Sequence, residues 1–286
     1  MSTSDSRIGF IGAGNMAEAM AGALISSGNV QSRQLTLCDL RQERLTYLET
    51  QYNVHTSTSA ADTFAQATTV VLAVKPQGMA PLLKELQDKG LTRVSERKQI
   101  ITIAAGLPLS FYEETLYDGL PDAFAALLPI MRVMPNTPSL VLAGMSGLCG
   151  NRHATAEDMD LAEEVLSAMG DVLRVSEDQM DGVTAVSGSG PAYFFYVVEA
   201  MINTAREMGF DGEAAKRLAL GTINGAAKLR LASDDEPEDL RRKVTSPGGT
   251  TEAAINEMKA RGVAEGIREG MLAAARRSRE LKEEIG

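Results

Sequence analysis

The stretch Arg7–Ala17 reads R-I-G-F-I-G-A-G-N-M-A, and its reading decides the fold. Arg7–Ile11 is a short apolar run of the kind that forms a buried strand. Gly12–Ala17 then matches the spacing G-x-G-x-x-G/A and opens a helix expected from about Asn15 to Ser27, with Gly28 as its stop. Each small residue has a task in that setting. Gly12 permits the tight turn, Gly14 lets a pyrophosphate approach the backbone, and Ala17 keeps helix and strand close. The glycine pattern alone is weak evidence. Strand, loop and helix in succession point to a dinucleotide-binding unit.

Working outward, Gln34–Cys38 is a second strand ending at Asp39, and Arg41–Thr50 reads as a helix. An acidic residue in the place of Asp39 holds the ribose 2′-hydroxyl of NAD, whereas Arg41 or Arg44 could hold the 2′-phosphate of NADP. The two signals conflict, and both arginines also suit a solvated helix face. Thr69–Val74 (T-V-V-L-A-V) is the near-continuous apolar strand that a sheet buried on both faces requires. Helix Met79–Gln87, strands Gln99–Ile103, Ile130–Val133 and Ser146–Cys149, helix Thr155–Met169 and strand Asp171–Val175 follow. Strands alternating with helices imply an α/β, doubly wound, mainly parallel sheet. After about Gln179 only helical spacing remains. A helix from Pro191 to Met208 carries Phe194, Val197, Val198, Met201, Ile202, Ala205 and Met208 on one face. Asp211 caps the next, to about Leu231, and Glu236–Val244, Thr251–Lys259 and Val263–Lys282 complete an all-α half. Its broad apolar faces suggest burial between subunits.

Composition narrows the function. The formal net charge is −10, which argues against a nucleic-acid partner and against docking on anionic lipid. Two cysteines, Cys38 and Cys149, and two histidines, His55 and His153, in no ligand spacing, argue against a disulfide framework or a metal site. The longest uncharged stretch, Gly182–Val198, is broken by S-G-S-G-P, so no membrane span is expected. No basic-then-apolar leader opens the chain. A cytoplasmic enzyme is the expectation.

Two loops follow strand ends, where ligands of open parallel sheets bind. They are Lys75-Pro76-Gln77 and Met134-Pro135-Asn136-Thr137-Pro138. Lys75 could approach a ribose or phosphate, and Asn136 and Thr137 could orient a carboxamide. The prolines equally suit simple strand stops. In the helical half, V-S-G-S-G-P (Val186–Pro191) and S-P-G-G-T-T (Ser246–Thr251) are small-residue loops leading into helices. The first also suits tight packing at a subunit seam. In the second, backbone N–H groups at a helix start and the hydroxyls of Ser246, Thr250 and Thr251 make a receptor for a small anion. Neither loop carries a general acid or base. A ketone needs an acid when it is reduced. A protonated imine does not, because it already bears the charge that accepts hydride. Orientation and a carboxylate anchor then suffice.

The chain resembles the pyrroline-5-carboxylate reductases. The matching pieces are Ile11–Ala17, A-V-K-P-Q (Ala73–Gln77), M-P-N-T-P (Met134–Pro138), T-A-V-S-G-S-G-P-A-Y (Thr184–Tyr193) and V-T-S-P-G-G-T-T (Val244–Thr251). The resemblance implies NADPH- or NADH-dependent reduction of 1-pyrroline-5-carboxylate to L-proline. It implies a Rossmann domain, residues 1–178, then a helical substrate-binding and dimerisation domain, residues 179–286. Self-association would run through the C-terminal helices. Cofactor contacts would come from Gly12, Gly14, Asn15, Met16, Asp39, Arg41, Ala73, Lys75, Pro76, Asn136 and Thr137. Ser246, Gly248, Gly249, Thr250 and Thr251 would hold the substrate carboxylate, with Thr251 near the ring nitrogen. Preference between NADP and NAD stays open. The alternatives are a reductase of a related cyclic imine carboxylate and a nucleotide-sensing protein without chemistry.

Overall fold

The computed structural model describes residues 6–285. Its strands are β1 (Ile8–Ile11), β2 (Leu35–Cys38), β3 (His55–Ser57), β4 (Thr69–Leu72), β5 (Gln99–Thr102), β6 (Ile130–Met134), β7 (Gly144–Gly150) and β8 (Gly170–Arg174). They form one sheet in the order β3-β2-β1-β4-β5-β6-β7-β8. The chain builds outward from β1 to β3, returns to place β4 on the other side of β1, and continues outward. That reversal is the switch point at which doubly wound sheets bind nucleotides. β7 pairs antiparallel with β6 and parallel with β8, so the last two strands run against the rest.

The helices around the sheet are α1 (Asn15–Ser26), α2 (Gln42–Tyr52), α3 (Ala60–Gln66), α4 (Met79–Asp88), α5 (Leu109–Leu116), α6 (Asp122–Ala125), α7 (Ala156–Ser167) and α8 (Met180–Val183). Strand side chains alternate between two cores, as a period of two demands. Phe10, Val71 and Ile101 pack with Met20 and Leu24 of α1 and with Val165 of α7. Ile11, Val70, Leu72 and Ile100 pack with Met79, Leu83 and Leu86 of α4 and with Tyr112 of α5. The end of α1 follows the sequence closely, since Gly28 adopts φ +77° and donates to the Ile25 carbonyl.

Several elements lie outside the sequence expectations. β3 is a polar three-residue edge strand, and α3, α5 and α6 were not anticipated. For α3 a signal existed, because the Ser59 hydroxyl accepts the Asp62 N–H at 3.1 Å as an N-cap. The expected loop Val186–Pro191 is a correction. Thr184–Gly188 is a π-helical turn running on from α8. Small side chains allow it, since a Cβ at Gly188 would stand 2.5 Å from the Met134 methyl.

The remaining helices are α9 (Gly190–Glu207), α10 (Gly212–Leu231), α11 (Pro237–Lys243), α12 (Thr250–Ala260) and α13 (Val263–Ile285). Among the described residues no strand follows β8. Asp211 caps α10 as expected, accepting from the N–H groups of Glu213 and Ala214 at 2.9 and 2.8 Å. Contacts divide the described chain into two compact units. One runs to Gly188 and takes back the residues from Ala275 onward. The other is Ser189–Ala274. The returning segment is held by Asp181, which accepts from Ser278 Oγ at 2.8 Å and Lys282 Nζ at 2.9 Å. In the second unit large apolar side chains stand in the open, including Phe194 at 62%, Phe195 at 68% and Tyr196 at 76% exposure. Among the described residues no helix is long and apolar enough to cross a membrane.

Candidate active site: a strand-end cleft and a helix-end loop

The first loop is built by contacts that explain each glycine. Gly12 has φ +96°, and a Cβ there would meet the Ala73 carbonyl and Val74 nitrogen at 2.7 Å. Its N–H donates to the Cys38 carbonyl at 2.9 Å. Gly12 is therefore required by the protein's own packing. Gly14 is different, because a Cβ there would meet nothing within 4 Å. The bare backbone at the start of α1 faces open space, which is the fit a pyrophosphate needs at a helix N-terminus.

Asp39 closes the loop from the next strand. Its carboxylate accepts the Ala13 N–H at 3.2 Å and takes the Arg41 guanidinium at 2.9 and 3.1 Å. The Arg41 side chain holds Asp39 below the usual carboxylate range, outweighing the upward push of burial. The two residues that conflicted in the sequence thus form one pair, with Arg41 at its exposed side. Arg44 needs a correction. Its guanidinium donates to the Ala13 carbonyl at 2.8 Å and to Glu18 at 2.5 Å, so it braces the loop from behind.

A cleft of about 280 Å³ lies beyond the carboxyl ends of β4, β5 and β6. Met16, Ala73, Lys75 and Pro76 line it, together with Ala104 and Met134. Four of the residues expected at the cofactor thus share one wall. Asn136 and Thr137 sit just past this end of β6. The Asn136 amide donates to Ser187 Oγ at 3.1 Å and its carbonyl accepts the Met145 N–H at 3.0 Å. Asn136 therefore ties the β6 loop to the π-helical turn. Thr137 is exposed and opens a short 3-10 segment.

The second loop, Ser246–Thr251, lies in the other unit. Gly248 adopts φ +70°, and the Gly249 N–H returns to the Ser246 carbonyl at 3.0 Å. Gly249 is the N-cap of α12, so Thr250 and Thr251 are its first helical residues, and neither side chain caps the helix. Their N–H groups have no carbonyl one turn earlier to bond. Ser246 and Thr250 are exposed and Thr251 is half-buried. The Gly248 N–H donates to Glu252 Oε2 at 2.8 Å. Sequence reading missed Glu252, although a carboxylate three residues after an N-cap is a recognisable spacing.

Comparison with known proteins bears on both loops. A family described as pyrroline-5-carboxylate reductase dimerisation matches residues 177–281. One described as NADP oxidoreductase, coenzyme F420-dependent, matches residues 7–106. A pyrroline-5-carboxylate reductase of Pseudomonas aeruginosa is 41% identical over 281 residues, spanning 98% of both chains. The chain belongs to the pyrroline-5-carboxylate reductase family. The solved family member from Coxiella burnetii superposes with a TM-score of 0.88 at 35% identity, covering 96% of this chain and 98% of that one. The pyrroline carboxylate reductase of Plasmodium falciparum, solved with NADP bound, shares the fold at a TM-score of 0.83 and 24% identity, covering 97% and 98%. In this family member the glycine loop Gly12–Ala17 and the cleft beside it belong to the sheet unit, and the Ser246–Thr251 turn to the helical unit.

Proposed function

We infer that this reductase converts the cyclic imine 1-pyrroline-5-carboxylate to L-proline with NADPH or NADH, the last step of proline synthesis. The Ser246–Thr251 turn carries the reading: a carboxylate anchor without an acid or base, in a chain that also holds a dinucleotide loop. A reduced nicotinamide, when held there, would supply a hydride. The protonated imine carbon accepts it, and the electron pair of the C=N bond moves onto nitrogen, which becomes a neutral amine. Proton transfer from the protein at that nitrogen is therefore unnecessary. Thr250 and Thr251, with the Ser246 hydroxyl, hold the substrate carboxylate, and Thr251 orients the ring nitrogen; Gly248 and Gly249 shape the turn, their own N–H groups being bonded to Glu252 and to the Ser246 carbonyl. Glu252 keeps the Gly248 turn in shape by accepting its N–H. Gly12, Gly14, Asn15, Met16, Asp39, Arg41, Ala73, Lys75 and Pro76 hold the cofactor. Thr137 would help hold the nicotinamide, and Asn136 fixes the loop that carries it.

We assign cofactor binding to residues 1–178 and substrate binding and dimerisation to residues 179–286. The exposed Phe194, Phe195 and Tyr196, within the dimerisation match, support self-association through the helical half. The enzyme works in the cytoplasm. Purified protein given the imine should consume NADPH or NADH and release proline. Absence of consumption with either cofactor would overturn the assignment.

A further inference from the structure

We propose that the amino ends of β1, β4 and β5 carry a second anion site, for a small ligand of the phosphate class. A cavity of about 300 Å³ opens there, lined by Arg7, Arg93, Arg97 and Lys98, with Glu96 among its other lining residues. The whole chain is acidic, with a formal net charge of −10, so this convergence runs against the composition. Asp158 pairs with Arg97 and Glu96 is one carboxylate in the lining, so positive charge is left in excess and an anion would relieve its repulsion.

The four cations differ in how they are held. Arg97 is committed to Asp158 and to the carbonyls of Ala126 and His153, both at 2.8 Å. Lys98 is 8% exposed, and its ammonium donates to the Phe64 carbonyl at 2.6 Å and to the Ala67 carbonyl. No carboxylate answers it among the described residues. Burial, and then the charge of Arg7, press its pKa down to about 8. Arg7 and Arg93 are exposed, and among the described residues neither guanidinium has a hydrogen-bond or ion-pair partner. Capping the carboxyl end of α3 accounts for Lys98 alone. It leaves two free guanidinium groups beside a fixed ammonium, a donor set that suits the oxygens of a phosphate.

The cavity is separate from the cofactor cleft. Arg7, Thr68 and Lys98 precede β1, β4 and β5, whereas the cleft follows the other ends of β4 and β5. A four-residue strand at about 3.3 Å per residue holds the two roughly 13 Å apart.

Full-length protein saturated with NADPH, which fills the dinucleotide loop, is titrated by calorimetry with sodium pyrophosphate and, separately, with ADP at constant ionic strength. Wild type should show one saturable site per chain. Affinity should fall at least about tenfold in R7Q/R93Q and stay unchanged in R33Q, which removes an exposed arginine elsewhere. Melting temperature verifies that the double variant is folded. If it is not, R7Q and R93Q singly should each weaken binding about threefold. The tighter of the two probes shows whether the phosphate comes free or on a nucleotide. No saturable binding of either probe to wild type, or equal affinity in all variants, would overturn the proposal.

Discussion

The two glycines of the dinucleotide loop should fail in opposite ways when each is replaced by alanine. At Gly12 the new Cβ would stand 2.7 Å from the backbone of Ala73 and Val74, on a residue with φ +96°. Forcing an L side chain into that conformation costs about 1–3 kcal/mol. Moving the crowded backbone costs about 1–3 kcal/mol more. The sum, roughly 2–6 kcal/mol, corresponds to a fall in melting temperature of roughly 4–12 °C, at about 2 °C per kcal/mol for a chain of this size. At Gly14 the backbone is ordinary, with φ −71° and ψ −175°. Alanine there loses a little as an N-cap and gains by restricting the unfolded chain, offsetting to within about 1 kcal/mol. Its methyl group instead enters the space left for the pyrophosphate, and the dissociation constant for NADPH should rise at least about tenfold. Thermal melting of both variants and a fluorescence titration with NADPH measure the contrast. If Gly14→Ala binds NADPH like wild type, or Gly12→Ala melts like wild type, the division of labour drawn from the geometry is wrong.

Thr251→Ala should lower kcat/KM for the imine at least about tenfold, the loss of one hydrogen bond to a charged partner, while NADPH binding stays within about twofold; an unchanged rate would remove Thr251 from the site. Arg41→Ala should shift the ratio of specificity constants from NADPH toward NADH about tenfold, because it removes a cation and frees Asp39 for a ribose hydroxyl. Equal losses with both cofactors would contradict that. Asp158 is 2% exposed. Burial pushes its pKa up, but Arg97, Thr155 and Gln99 outweigh it and bring it to about 2. A depressed carboxylate stabilises the fold above its unfolded pKa and loses that contribution as pH falls through the folded one. Asp158→Asn should therefore cost about 2 kcal/mol at pH 7 in urea unfolding, with the gap to wild type narrowing between pH 4 and pH 2. A constant gap would refute the linkage.

The first strand, turn and helix were legible because Gly12–Ala17 carries its own physics within a few residues. The apolar run of β4 and the Asp211 cap of α10 were legible for the same reason. What escaped depends on partners far along the chain. β3 is polar and short, and becomes a strand only because β2 offers it an edge. The reversed direction of β7 leaves no mark on its own residues. Arg44 could not be read as a brace, because Ala13 and Glu18 lie 31 and 26 positions away. Likewise Asn136 finds Ser187 only across 51 positions, through a π-helical turn that small residues permit but do not announce. That Ala73, Lys75 and Pro76 would line a cleft was readable from their place at a strand end. The contact of Glu252 on Gly248 spans only four positions and follows from a carboxylate at the third residue of a helix.

Asp181 waits for Ser278 and Lys282, almost a hundred residues downstream. During synthesis the sheet unit emerges first, yet Asp181 has neither of these partners until α13 has left the ribosome. The unit that begins the chain is thus finished last. Shortening the protein from its carboxyl end would strike the sheet unit, removing both hydrogen-bond partners of Asp181 together with the segment that covers it.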